Sequence, residues 1–228
     1  MNLALDIGNT AVKWAAFEGH TLLEHGLDLP TDKLTVAESV LACASGKLPD
    51  TVYDIPLLSA ETPLPIRLDY KTPQTLGPDR IAAACGAWSL HRGEACLVID
   101  AGTCITVDFL ASDGVYHGGA IMPGLSMNLK ALHDGTARLP LVSLEGIDRA
   151  PALGCSTEES ILAGTLGSTL LALAGYVALY REKCGKLNVL LTGGDAQRLI
   201  KAGATGWEYQ PMLTLTGLNE IMEKDNEK

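Results

Sequence analysis

Two short acidic turns hold the side chains of this sequence best suited to phosphate chemistry. In the first, the apolar run Leu3, Ala4 and Leu5 stops at Asp6 and turns through Ile7 and Gly8 to Asn9 and Thr10. Gly8 can take backbone angles closed to other residues, and Asn9 and Thr10 offer donors to an anion. The backbone N–H groups of such a loop can point at phosphoryl oxygens. Its carboxylate can hold a Mg²⁺, directly or through water, that offsets the charge of a nucleotide. An ordinary hairpin turn has the same composition. The second stretch repeats the pattern: Leu97, Val98 and Ile99 lead to Asp100, Ala101, Gly102 and Thr103, and another β-rich segment follows. A third turn, Thr192-Gly193-Gly194-Asp195, also ends an apolar run, as expected where the C-terminal end of a strand approaches a ligand.

A further carboxylate stands at the start of a helix. Gly77, Pro78, Asp79 and Arg80 lead directly into an alanine-rich helical pattern over residues 81–90. Proline at the first helical position and an acid in the first turn are common start chemistry, so capping alone accounts for Pro78 and Asp79. Arg80 is different, because a cation in the first turn opposes the helix dipole; a ligand's carboxylate or phosphate would favour it there.

The elements that must position these residues follow from periodicity and punctuation. Strands are expected over residues 2–6, 11–18 and 21–29, a capped helix over 31–44 that stops at Gly46, and a buried strand over 52–59. Residues 61–77 carry Pro63, Pro65 and Pro73 and read as a surface loop, in which Tyr70 reads as a packed aromatic. Beyond the second acidic turn come strands over 104–110 and 114–121 joined by an Asp113-Gly114 turn, a helix over 125–131 and an extended link over 138–144. A capping box at Ser156 and Glu159 opens a long apolar helix, and the chain closes as strand 188–191, helix 196–201, strand 206–209 and helix 215–223.

Composition narrows the function. A net charge of −10 argues against a nucleic-acid surface, which needs clustered Lys and Arg. A small anion needs only a local positive field, which Lys13, Arg80 and backbone amides can supply. The six cysteines form no C-x-x-C pair and the five histidines stand apart, so reduced thiols, no zinc site and a cytoplasmic protein are expected. Residues 161–180 carry no charge over nearly the length of a membrane span. Gly164, Thr165, Gly167, Ser168, Thr169 and Gly175 dilute that apolarity, and the capping box suits a soluble helix, so no membrane association is expected. Gly164, Ser168 and Ala172 recur on one face, either for packing within the domain or for a dimer interface.

Two similar halves with a nucleotide between them resemble the superfamily of acetate kinase, sugar kinases, Hsp70 and actin. The ordered set of motifs is more specific. It comprises Asp6 to Thr10, Gly77-Pro78-Asp79-Arg80, Ile99 to Thr103, Gly119 to Gly124, Thr136 to Pro140, Ser156-Thr157-Glu158 and Thr192-Gly193-Gly194. Over nearly the whole chain this set resembles the type III pantothenate kinases, also called Bvg accessory factor-like proteins. The resemblance implies an α/β fold of two ribonuclease H-like domains of the actin-like ATPase superfamily with the active-site cleft between them. The expected domains are 1–93 and 94–228, the last helix packing back on the first.

The resemblance also implies ATP-dependent phosphorylation of the primary hydroxyl of pantothenate, with Asp79 accepting the hydroxyl proton. Asp6, Ile7, Gly8, Asn9, Thr10, Ala11, Val12 and Lys13 match the segment that cradles ATP, and Thr103 matches a residue that touches the nucleotide. Asp100 matches a ligand of a monovalent cation, K⁺ or NH₄⁺. Tyr70, Gly77, Pro78, Asp79, Arg80 and Thr157 match contacts to pantothenate. Family members form homodimers with the active site near the subunit boundary, to which the Gly164 and Ser168 face is the expected contributor. Two other readings use the same fold: a regulatory protein acting through a partner, and a kinase or phosphatase for a sugar or related small alcohol. A regulator has no need of the carboxylate at Asp79, and no sugar-kinase substrate motif is present.

Overall fold

The computed structural model describes residues 1–46, 55–149 and 151–226. Strand β1 (Asn2–Ile7) is buried along its length except at Asp6. It is covered because β2 (Val12–Glu18) pairs antiparallel on one side and β4 (Ser39–Ala44) pairs parallel on the other. With β3 (Thr21–Leu27) the sheet order is β3-β2-β1-β4. Leu3, Leu5, Ile7, Trp14, Ala16 and Ala42 form a core cluster on these strands.

The helix expected over residues 31–44 is a correction. Only α1 (Thr31–Leu34) is helical, and residues 39–44 form β4. Val40 to Ala44 is a short uninterrupted apolar run, which periodicity cannot assign between helix and buried strand; the place parallel to β1, buried on both faces, decides for strand. Of the strand expected over 52–59, residues 52–54 lie outside the described residues, and Leu57 makes an isolated bridge to Ala42. The loop before Gly77 holds only the two-residue β5 (Arg67–Leu68) and one 3₁₀ turn, Pro73–Thr75.

The remaining strands are β6 (Cys96–Ala101), β7 (Cys104–Leu110), β8 (Val115–Pro123), β9 (Asn188–Thr192) and β10 (Glu208–Tyr209), in a sheet of order β10-β9-β6-β7-β8-β5. Within it, β8-β7-β6-β9 repeats the order β3-β2-β1-β4. The duplication seen in the sequence is therefore a duplication of topology. Asp6 and Asp100 hold the same place, one residue from the end of equivalent strands, and the two strands share one burial pattern.

Contacts divide the chain into two compact units. Unit 1 comprises Met1–Cys96, Asp108–Gly118 and Met212–Lys228, and unit 2 comprises Leu97–Val107 and Gly119–Pro211. In unit 1, helix α2 (Pro78–Leu90) packs on the terminal helix, which also touches β1 and β4. The backbones come so close that a side chain at Gly86 would overlap the Leu213 carbonyl.

Unit 2 carries α3 (Leu125–Asp134) and a continuous helical run made of α4 (Thr157–Leu162), a π turn (Ala163–Gly167) and α5 (Ser168–Cys184). Its start is capped as the sequence predicts: Ser156 Oγ accepts the Glu159 N–H at 3.2 Å, and the Glu159 carboxylate accepts the Cys155 N–H at 2.7 Å. Helix α6 (Ala196–Ala202) follows β9, and α7 (Leu213–Asn226) is the terminal helix that belongs to unit 1.

Candidate active site

In unit 1 the strand registers surround Asp6. Lys13 is its partner across β1 and β2, and Cys43 its partner across β1 and β4. The Cys43 thiol donates to Asp6 Oδ1 at 3.5 Å. Beyond Asp6 the loop is closed by the Gly8 N–H, which donates to the Ala11 carbonyl at 3.1 Å, and Ser45 and Gly46 both donate to the Ile7 carbonyl. Gly46 is required here, since a side chain on it would overlap the Gly8 carbonyl. The tip residues Asn9, Thr10 and Ala11 remain exposed on this backed loop.

Burial pushes the Asp6 carboxyl above its ordinary 3.8; Lys13 and the Cys43 thiol oppose the effect, and the charge of Asp79 adds to it. Asp6 and Asp79 thus share one electrostatic neighbourhood. Because the folded protein holds this proton more tightly than the unfolded chain, the ionised carboxylate costs stability, and the cost grows as pH rises above 3.8 through the raised value. Asp6→Asn removes that cost. Its melting temperature at pH 7 is expected to exceed the wild type's by an increment worth about 1 kcal/mol, while nucleotide binding weakens; a fall in both would show that the carboxylate is needed for folding.

Asp79 sits in the first turn of α2, after Gly77 at the N-cap and Pro78 at the first helical position. Its Oδ1 accepts the Arg80 N–H at 2.9 Å and lies 2.6 Å from where a Cβ on Gly77 would stand. Glycine at 77 therefore makes the room that the carboxylate occupies.

Arg80 points elsewhere. Its Nε and Nη2 donate to Asp108 Oδ1 at 3.0 and 2.6 Å, with Nε also 3.2 Å from Oδ2. Asp108, on β7, is 1% exposed and accepts a second bond from the Tyr116 hydroxyl at 2.6 Å. Burial works against the charged guanidinium, but the hydrogen bonds and charge of Asp108 outweigh it and raise Arg80 above its ordinary value. Burial and the same carboxylate push the Tyr116 hydroxyl up, so both groups remain donors at neutral pH. The Tyr70 ring stands 6.1 Å from the Tyr116 ring, with the Arg80 guanidinium 6.0 Å from its centroid, and it lies on Gly118, whose φ of +83° suits glycine. The anion that Arg80's place in the first turn suggests thus has a counterpart inside the chain.

In unit 2, Asp100 stands one residue before the end of β6, beside a turn closed by the Gly102 N–H, which donates to the Cys104 carbonyl at 3.0 Å. Gly193, with φ +96°, presses on this turn, and a Cβ on it would stand 2.5 Å from Asp100 Oδ1. Gly193 follows β9 as Gly46 follows β4, so the duplicated strands also duplicate the glycine that backs each acidic turn. Thr103 is exposed, and its carbonyl accepts the Gly124 N–H at 3.0 Å. Thr157 is exposed at the start of α4 and lines a cavity of ≈ 720 Å³ with Cys155, Ser156, Ser160 and Gly164, ample for a small ligand.

The structure therefore brings Asp6, Lys13, Tyr70, Asp79 and Arg80 into unit 1 and Asp100, Thr103 and Thr157 into unit 2. Sequence reasoning missed Cys43, Asp108 and Tyr116. Asp108 carried a signal, as a lone carboxylate among Ile105, Val107 and Leu110, because a charge on a buried strand needs a partner. Among the described residues no group of three or more His, Cys, Asp or Glu can hold a metal by itself. Mg²⁺ does not ask for one, since it draws most of its ligands from water and phosphate and needs one or two carboxylates.

Known proteins resemble this chain over most of its length. The type III pantothenate kinase family model matches residues 51–179. A type III pantothenate kinase of Bacteroides fragilis is 40% identical over an alignment of 242 positions that covers 99% of each chain, and one from Phocaeicola vulgatus is 40% identical over 97% of this chain and 98% of its own. Among solved structures, a Baf family protein from Campylobacter jejuni aligns with a TM-score of 0.62 at 21% identity, covering 99% of this chain and 100% of that one. Lmo2764 of Listeria monocytogenes, a proposed N-acetylmannosamine kinase, aligns at 0.56 with 12% identity over 99% of both, which shows the shared actin-like ATPase and sugar-kinase fold. With the family model spanning more than half of the sequence and relatives at 40% identity running its full length, the chain belongs to the type III pantothenate kinase family.

Proposed function

We propose that this protein transfers the γ-phosphoryl group of ATP to the primary hydroxyl of pantothenate, the first committed step toward coenzyme A, in the cytoplasm. The observation that carries the reading is Asp79 at the start of α2, held by the Arg80 N–H in the room that Gly77 leaves, in a chain of the type III pantothenate kinase family. Phosphoryl transfer asks the protein mainly for alignment and charge neutralisation. The turn from Asp6 to Lys13 lies against the phosphates of ATP, with its N–H groups and the Lys13 ammonium as donors, and Thr103 meets the nucleotide. Asp79 accepts the hydroxyl proton as the new bond to phosphorus forms. Tyr70, Gly77, Pro78 and Thr157 contact pantothenate, and Arg80 shapes that pocket through Asp108.

Asp6 would hold Mg²⁺ through water, and the ion would supply charge neutralisation at the phosphates. Asp100 offers an oxygen to K⁺ or NH₄⁺, in a cradle that a side chain at Gly193 would fill. Turnover is expected to persist in K⁺ or NH₄⁺ and to drop severalfold in Na⁺ or Li⁺; indifference to the ion overturns the role of Asp100.

The protein acts as a homodimer with no part for nucleic acid or membrane. The helix Thr157–Cys184 is long and apolar enough to cross a membrane, and less than half of its apolar stretch is buried. Leu171 and Leu179 are 76% and 45% exposed on the side that also shows Gly164, Ser168 and Ala172. A second copy covers this face. Leu171→Glu is expected to halve the mass seen by light scattering, and an unchanged mass removes this face from the interface.

The reading as a whole is tested by ADP release with pantothenate present and omitted. Release that depends on pantothenate supports it. Release without the acceptor, or none at all, refutes it and leaves the regulatory alternative.

A further inference from the structure

We infer that Asp108 is a positioning residue for the transfer, and that Tyr116 is its support. The inference rests on the proposed kinase reading. Asp79 and Arg80 are consecutive in one helical turn, so whatever fixes the guanidinium fixes the backbone from which the proton acceptor projects. The guanidinium is fixed by Asp108, through three contacts of 2.6, 3.0 and 3.2 Å in a site where Arg80 is 7% and Asp108 1% exposed. Asp108 is fixed in turn by the Tyr116 hydroxyl at 2.6 Å. The same carboxylate governs the substrate side. Tyr70 packs against the Tyr116 ring and the Arg80 guanidinium, with Gly118 beneath it.

One buried carboxylate thereby couples the proton acceptor to the aromatic that faces pantothenate. It touches neither reactant. Charge-assisted bidentate pairing has a narrow geometry, which is what a group needs when it must hold a neighbour in register. Displacements of an ångström cost heavily in reactions that depend on alignment, so a loosened pair is read in turnover and not only in stability.

Tyr116→Phe tests this with the least disturbance, because it keeps the ring against Tyr70 and removes one hydrogen bond. Ser89→Ala is the matched control on the same helix: Ser89 Oγ donates to the buried carboxylate of Glu220 at 2.9 Å, far along α2 from Asp79. Both variants are expected to lose similar stability. Only Tyr116→Phe is expected to lower kcat, by about tenfold, and to raise KM for pantothenate with KM for ATP unchanged. Asp108→Asn goes further in the same direction, and Asp108→Glu restores part of the loss. Equal kcat in the two matched variants, measured on folded protein, overturns the inference while the kinase reading stands. Wild-type protein that does not turn over pantothenate removes both.

Discussion

Asp79→Asn is expected to lower kcat for pantothenate phosphorylation by about 10²–10⁴-fold, the range that a positioned acid or base contributes. The amide is nearly isosteric with the carboxylate, and its oxygen can still accept the Arg80 N–H that Asp79 Oδ1 accepts at 2.9 Å. The helix start is therefore preserved, apart from the ~0.3–1 kcal/mol that a negative charge adds near a helix N-terminus. What disappears is the acceptor for the proton. ATP and pantothenate should still bind, because Asp79 is one contact among several, and removing a charge beside Asp6 relieves a repulsion. Turnover by ADP release and binding by calorimetry separate the two effects. Loss of binding together with turnover would make Asp79 a ligand contact and not an acceptor, and undiminished turnover would take it out of the reaction.

Chemistry was more legible in the sequence than secondary structure. The acidic turns and the start of α2 announce themselves because a carboxylate, a glycine and a proline each restrict what the backbone can do within a few residues. The Ser156 cap is local in the same sense, and it forms as expected. Residues 39–44 are the opposite case. Val40 to Ala44 would suit a helix or a strand, and the choice is made by β1, more than thirty residues earlier in the chain. Arg80 was legible as an anomaly, a cation at the wrong end of a helix, but its partner was not, since Asp108 is 28 residues away and no local rule joins the two. The pattern shared by Gly46 and Gly193 was likewise hidden. Each glycine answers to a carbonyl at or just past the end of another strand, Gly8 for Gly46 and Ala101 for Gly193, and sequence spacing does not report that approach.

Arg80→Met is expected to cost about 3–5 kcal/mol of unfolding free energy, the penalty for leaving a buried charge without its partner. Met matches much of the arginine stem, so the loss is electrostatic and not a cavity. Asp108, at 1% exposure, would keep, among the described residues, only the Tyr116 hydroxyl as a hydrogen-bond donor. The exposed pair Lys201 and Asp148, whose side chains are 62% and 68% accessible, sets the contrast; breaking it should cost ~0–1 kcal/mol and less at high salt. A burial penalty predicts its own cure. Replacing all three polar members together, as Arg80→Met, Asp108→Leu and Tyr116→Phe, should recover most of the lost stability, because apolar groups in their place need no partners. Urea unfolding with an unchanged m-value reads both results. A single variant that loses less than ~1 kcal/mol, or a triple variant no better than the single, would mean that Asp108 is neutralised or reached by water when Arg80 is gone, and that the pair does not hold the start of α2.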